Sequence, residues 1–148
     1  MTNARVVIGL GITAGAIIIG SWTFVDLRTN GEDAATIAAG RTIYGDHCAA
    51  CHGVQLEGQP DWKTPLPSGR LPAPPHDASG HTWHHADEML FRIVKEGTAA
   101  VVGGNYESDM PGFGDTLGDA EIRAVLAFIK STWPERERGF QEEVSRRR

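Results

Sequence analysis

The chain has 148 residues and a formal net charge of −5, which suits one domain with appendages and argues against nucleic acid as a partner. It contains no Gly-rich phosphate loop ending in Lys-Ser/Thr and no Gly-x-Ser-x-Gly elbow, so the sequence gives no sign of a nucleotide hydrolase or a serine hydrolase. Fourteen acidic and seven basic side chains fall within residues 31–133. This acidity is either a solvated surface or a docking face for a basic partner.

Residues 6–25 (VVIGLGITAGAIIIGSWTFV) form an uncharged apolar run of about the length that spans a bilayer as a helix. Arg5 and the amino terminus precede this run, which predicts residues 1–5 in the cytoplasm and the rest of the chain in the periplasm. A cleavable secretory signal is the alternative. The run is longer than a usual signal core, and its exit lacks a clean Ala-x-Ala. Residues 26–33 then read as a short polar linker.

The first helix of the exported part is predicted at residues 34–47. Ile37, Gly40, Ile43 and Tyr44 recur there at spacings of three and four residues, which is typical of one helix face. Glycine weakens a helix interior, so Gly40 on the apolar face suggests close contact with another helix.

Directly after this helix, Cys48-Ala49-Ala50-Cys51-His52 has the covalent attachment pattern of haem c. Positions three and four apart share a helix face, so both thiols and the imidazole can point at one flat ring. Cys48 and Cys51 would form thioethers with the haem vinyl groups, and His52 would offer a ring nitrogen to the iron. A redox disulfide would require a βαβ context, and a zinc site would require four ligands, whereas the chain has only two cysteines.

With its Gly-x-x-x-Tyr before Cys-x-x-Cys-His, a later Met-Pro and a closing helix that carries an aromatic residue, the chain resembles class I cytochrome c. The form it resembles is bacterial, mono-haem and membrane-anchored. The resemblance covers roughly residues 34–133 and implies an all-α domain of three to five helices around one covalent haem c, preceded by one transmembrane helix. It also implies that the first and last helices cross at Gly40, Tyr44 and Phe128.

Residues 53–80 contain six prolines, which predicts a long irregular loop. The resemblance implies that a prolyl carbonyl in this loop accepts the second ring N–H of the axial histidine, with Pro74 and Pro75 as the best candidates and Pro72 as a further one. Such a bond fixes the ring and raises its basicity as a ligand. The cluster at residues 81–85 (HTWHH) lacks an acidic or cysteine ligand that would complete a metal site.

Residues 86–97 are predicted to form a second helix with Met89 in its apolar stripe, and residues 98–117 a second ordered loop. This loop contains Met110-Pro111, and the resemblance implies that Met110 is the distal iron ligand. A thioether raises the reduction potential relative to a second nitrogen ligand. The six histidines of the chain leave bis-histidine ligation open as an alternative.

Residues 119–133 are predicted to be the closing helix, with Ile122, Val125, Leu126 and Ile129 on its inner face. Pro134 ends this helix. Residues 134–148 carry mixed charge and are expected to be a solvated tail, although a helical extension is compatible with them.

A six-coordinate iron offers no open position to a substrate, so the expected function is electron transfer and not catalysis. We expect a carrier on the periplasmic face of the inner membrane, with redox proteins as partners and no small-molecule substrate. Its donor would be a quinol-oxidising complex or a dehydrogenase, and its acceptor a terminal oxidase, a reductase or a photosynthetic reaction centre. Two alternatives are a fixed haem subunit of a respiratory or photosynthetic complex and a ligand sensor or peroxidase in which Met110 dissociates.

Overall fold

The computed structural model describes residues 34–147. The predicted transmembrane helix at residues 6–25 and its flanks, residues 1–5 and 26–33, lie outside the described residues. Within residues 34–147 no helix combines the length and the apolar character that a membrane span requires.

The described residues form helices joined by irregular segments, and no strand occurs among them. This part of the chain is therefore all-α, as predicted. In chain order the helices are α1 (residues 34–47), α2 (Ala49–His52), a 3₁₀ turn (Thr82–His84), α3 (Asp87–Glu96), α4 (Thr98–Val102), α5 (Asp119–Ser131) and α6 (Glu135–Arg146).

Helices α1 and α5 cross in close contact at Gly40. A β-carbon placed on Gly40 would lie 1.9 Å from the carbonyl oxygen of Ala124 and 3.0 Å from the β-carbon of Phe128. One turn later, the rings of Tyr44 and Phe128 have their centroids 5.5 Å apart. The contact between the first and closing helices is thereby confirmed, and it requires glycine at position 40 because any side chain there would collide with α5.

The core is built mainly on α5, whose predicted inner face is confirmed: Ile122, Val125, Leu126 and Ile129 are all buried. Leu90 and Phe91 of α3 and Trp133 join the same cluster. Burial of each large apolar side chain stabilises the fold by about 1.5–3 kcal/mol. At the start of α5, the backbone N–H of Gly118 donates to the Glu121 carboxylate over 2.8 Å, which satisfies a free donor at the helix start.

The segment after α3 differs from the prediction, because residues 98–102 form the short helix α4 instead of a loop. Gly97 ends α3 with a φ of 88°, and Gly103 ends α4 with a φ of 77°. Glycine adopts this left-handed backbone without steric cost, so the two glycines isolate a single helical turn. Five residues are too few for a periodic pattern to be recognised in the sequence.

The expectation of a solvated tail was wrong, because α6 packs on the turn that precedes α3. Gln141 of α6 is 0 % exposed, and its Nε2 donates to the carbonyl oxygen of His85 over 3.2 Å and to the Asp87 carboxylate over 2.8 Å. The ring of Phe140 meets the ring of Trp83 edge to face, with centroids 5.4 Å apart. A buried amide and one aromatic side chain anchor this helix, so an analysis of apolar periodicity could not find the contact.

Candidate functional site

The cysteine motif lies where α1 runs into α2. The backbone N–H of Cys48 donates to the carbonyl oxygen of Tyr44 over 2.9 Å, and that of His52 donates to the carbonyl oxygen of Cys48 over 2.9 Å. The helical turn predicted for the motif is therefore present. Both thiols are free; Cys48 is half-buried and Cys51 is exposed.

The thiol of Cys48 is a poor candidate for disulfide redox chemistry. Burial raises its pKa to about 11, and the neighbouring Cys51 adds to this effect. A redox-active cysteine reacts as a thiolate and has a pKa lowered by positive surroundings. The environment of Cys48 does the opposite, which disfavours the reading of the motif as a redox disulfide.

The side chain of His52 is held in one orientation and one tautomer. It is 6 % exposed, and its Nδ1 lies 2.8 Å from the carbonyl oxygen of Pro74. A carbonyl oxygen only accepts, so Nδ1 carries the proton and Nε2 keeps its lone pair. Burial lowers the pKa of His52 more than this hydrogen bond raises it, so the ring is neutral at pH 7. The predicted prolyl carbonyl is confirmed, and the residue is Pro74 and not Pro75 or Pro72.

His76 forms a layer beside His52 that the sequence analysis missed. The two rings stack with their centroids 4.0 Å apart and their planes 23° apart. Nδ1 of His76 lies 2.8 Å from the Thr82 hydroxyl, and its carbonyl oxygen accepts a 2.7 Å hydrogen bond from Nε1 of Trp133. Burial puts the pKa of His76 well below its usual value. The sequence position of His76 could have indicated this stacking, because His76 lies two residues after Pro74, whose carbonyl oxygen holds His52.

Tyr44 ties α1 to the residue that follows the motif. Its hydroxyl donates to the carbonyl oxygen of Gly53 over 2.8 Å, and its side chain is 2 % exposed. Burial raises the pKa of Tyr44, so the phenol keeps its proton and remains a donor at any physiological pH. The bond fixes both ends of the cysteine motif against the same helix.

Met110 is half-buried in the segment between α4 and α5. Its sulfur accepts a 3.3 Å hydrogen bond from the hydroxyl of Thr98 at the start of α4. Its backbone N–H donates to the Ser108 hydroxyl over 3.1 Å, and shortly after it the N–H of Phe113 donates to the carbonyl oxygen of Val94 over 2.9 Å. The sulfur is thus held by one hydroxyl, while a thioether has a second lone pair for another partner.

Buried polar atoms of the 81–85 turn fit a haem carboxylate. Within residues 34–147, Nε1 of Trp83 and Nδ1 of His81 are buried and have no hydrogen-bond partner. Buried polar atoms without partners are rare in proteins, and the indole N–H of Trp83 can only donate, whereas the propionate groups of haem c accept hydrogen bonds. This donor, the two thiols of the motif and the neutral imidazole of His52 fit a covalent haem. Trp62 stacks on His81, with ring centroids 5.3 Å apart.

Within the described part of the chain, no group of three or more His, Cys, Asp or Glu side chains is arranged to hold a metal ion by itself. The histidines at positions 81–85 contact aromatic rings instead, as the pair of His84 and Phe140 shows, with centroids 5.7 Å apart.

Comparisons with known proteins agree with the interpretation of residues 48–52 as a haem attachment motif. A family model described as cytochrome c matches residues 37–133. A cbb3-type cytochrome c oxidase subunit CcoP of Azospirillum brasilense is 27% identical over 106 residues, which are 71% of this chain and 31% of the relative. The subunit of the same name from Azospirillum sp. (strain B510) is 30% identical over 107 residues, 70% of this chain and 31% of the relative. The chain thus spans about a third of the length of the curated relatives it matches, and no solved structure matches it significantly.

Proposed function

We propose that this chain, which belongs to the cytochrome c family, is a membrane-tethered carrier of single electrons on the periplasmic face of a bacterial inner membrane. Members of the family bind haem c covalently, and Cys48 and Cys51 have the attachment spacing for one such haem. The uncharged run at residues 6–25 supports the tether, and the lone Arg5 before it supports the orientation.

The observation that carries the proposal is that His52 is neutral and held in one orientation by a hydrogen bond from its Nδ1. Its Nδ1–H donates to the carbonyl oxygen of Pro74, so the lone pair of the ring lies on Nε2, the nitrogen that an iron would bind. We propose Met110 as the second ligand, since Thr98 holds its sulfur and leaves one lone pair for the metal. When bound, the haem supplies an iron that gains and loses one electron.

These residues suit electron transfer better than catalysis. If His52 and Met110 both bound the iron, no ligand position would remain for a substrate, and the protein would serve to orient the group and to keep it dry. The stacked ring of His76 and the bond from Tyr44 stiffen the surroundings of His52. A rigid site changes little between oxidation states, which keeps electron transfer fast.

Visible spectroscopy of the purified ferric and ferrous protein tests the ligand set. We expect the weak red absorption band that sulfur ligation gives ferric haem, together with haem that stays on the denatured chain. Met110→Ala should abolish the band. Met89→Leu is the matched control, because Met89 is also half-buried but lies in α3. Retention of the band in Met110→Ala would refute the assignment and return attention to the histidines.

A second candidate is a fixed haem subunit of a respiratory oxidase complex, favoured by the name of both relatives. Mild detergent extraction of membranes distinguishes the two. A haem protein that migrates alone supports the carrier, whereas a stoichiometric complex that persists through purification supports the subunit.

A separate experiment tests the tether. Loss of the protein from the membrane fraction after deletion of residues 6–25 would support the tether. Presence of the protein in the soluble fraction with residues 6–25 intact would refute it.

A further inference from the structure

An arginine of the long loop at residues 53–80 reaches across to the segment that carries Met110. Nε of Arg70 lies 3.2 Å from Oε2 of Glu107, and its Nη1 lies 2.5 Å from Oδ1 of Asp109. We call these three residues the Arg70 clamp. Asp109 directly precedes Met110, so one guanidinium joins two loops that are far apart in the sequence.

The turn that carries Arg70 is itself ordered. The backbone N–H of Leu66 donates to the carbonyl oxygen of Arg70 over 2.9 Å, and the N–H of Gly69 donates to that of Leu66 over 2.8 Å. Gly69 has a φ of 85°, which glycine adopts at no steric cost. Arginine presents its donors in a planar fork, so a fixed turn can direct it at two carboxylates at once.

The two halves of the Met110 segment are held differently. After Met110, the backbone N–H groups of Phe113 and Gly114 donate to the carbonyl oxygens of Val94 and Lys95 at the end of α3, over 2.9 and 3.0 Å. Before Met110, the backbone bond that the structure shows, from Tyr106 to Gly103, stays within the segment. The Arg70 clamp connects this first half to another part of the fold.

We infer that Arg70 is a positioning residue: the Arg70 clamp keeps the Met110 segment closed and thereby sets how readily an external ligand replaces Met110. The inference rests on the proposed ligation by Met110. All three side chains are partly exposed, at 38, 65 and 62 % for Arg70, Glu107 and Asp109. Exposed ion pairs are weak and screened by salt, so the clamp should hold the segment only moderately and lose its effect at high ionic strength.

Imidazole binding to the ferric haem protein tests the inference, since imidazole competes with the methionine for the iron. Arg70→Gln should raise the affinity for imidazole by about 2- to 10-fold at low salt. At about 1 M salt, where screening is nearly complete, wild type and variant should converge. Arg92→Gln is the matched control, because Arg92 pairs with Glu96 along the exposed face of α3 and should leave the affinity unchanged.

The outcomes separate failure of the clamp from failure of the proposed ligand. Met110→Ala should bind imidazole more tightly than any clamp variant; if it binds no more tightly than wild type, Met110 is not a ligand and the proposed function fails. If Met110→Ala tightens binding but Arg70→Gln does not, only the clamp is refuted. If Arg92→Gln tightens imidazole binding as much as Arg70→Gln does, the clamp is also refuted, because the effect would then come from the loss of any positive charge. Should Arg70→Gln fold poorly, Glu107→Gln and Asp109→Asn remove the same contacts from the other side and must each tighten binding.

Discussion

Substitution of Gly40 by alanine should destabilise the protein although it favours the helix. The new β-carbon would lie 1.9 Å from the carbonyl oxygen of Ala124, and β-carbons essentially never approach another heavy atom within 3.0 Å. The atom in the way belongs to the backbone of α5, so no side-chain rotation relieves the overlap. The two helices must instead move apart by about 1 Å at their crossing.

The expected size follows from two opposing effects. Replacement of glycine by alanine in a helix interior gains about 1 kcal/mol. Overpacking in a well-packed core costs about 1–3 kcal/mol and sometimes more, and a backbone obstacle belongs at the upper end of this range. Separation of the helices also loosens the contact between Tyr44 and Phe128. We therefore expect Gly40→Ala to lower the free energy of unfolding by about 2 kcal/mol.

Gly45 provides a matched control in the same helix. It is exposed, and a β-carbon placed on it would meet no atom within 4 Å. Gly45→Ala should therefore raise the free energy of unfolding by about 0.5–1 kcal/mol. Guanidinium unfolding of the haem-loaded proteins, followed by far-UV circular dichroism, measures both changes. Shifts of the same sign in the two variants, or a Gly40→Ala protein as stable as wild type, would refute the close crossing.

Two further predictions concern single polar contacts. Thr98→Val removes the hydroxyl that donates to the sulfur of Met110 and withdraws electron density from it. The reduction potential should therefore fall by about 20–60 mV, the equivalent of one hydrogen bond of about 0.5–1.5 kcal/mol. Thr98→Ser keeps the hydroxyl and should keep the wild-type potential. Protein-film voltammetry measures this change, and an unchanged potential in Thr98→Val would contradict a role of the hydroxyl. Partial burial raises the pKa of Asp87, but hydrogen bonds from Lys130 and Gln141 outweigh it, so the net pKa lies below its usual value. Asp87 therefore stabilises the fold above the usual carboxyl range, and this stabilisation is lost as the pH falls below about 4. Asp87→Asn should make the urea midpoint less dependent on pH in that acidic range, and an identical pH dependence would show that these contacts are too weak to matter.

Local patterns in the sequence were sufficient for the helices and for the attachment motif. The helix at residues 34–47 and the motif that follows it depend on spacings of three and four residues, which the sequence displays directly. The resemblance to class I cytochrome c added contacts that spacing does not contain, namely the crossing at Gly40 and the carbonyl of Pro74 beside His52. The ligand role of Met110 stays a prediction.

Polar contacts between distant segments were not predictable from the sequence. The stacking of His76 on His52 and the reach of Arg70 to Glu107 depend on how irregular loops fold, and loops have no periodicity to analyse. The docking of α6 was missed for a related reason, since its buried anchor is the amide of Gln141. Charged and amide side chains usually lie in solvent, so the sequence offered no reason to expect this one inside.

The crossing of α1 and α5 also has a consequence for the chain during its synthesis. Gly40 and Ala124 are more than eighty positions apart in the chain, so the contact between them has a high sequence separation. Contacts of this kind carry a cost in chain entropy, because a long loop must close before they bring any gain. A chain that has been synthesised only as far as Cys51 has no partner against which to bury α1. The two thiols are therefore presented on an open polypeptide first, and they become part of a packed domain only when the last third of the chain arrives.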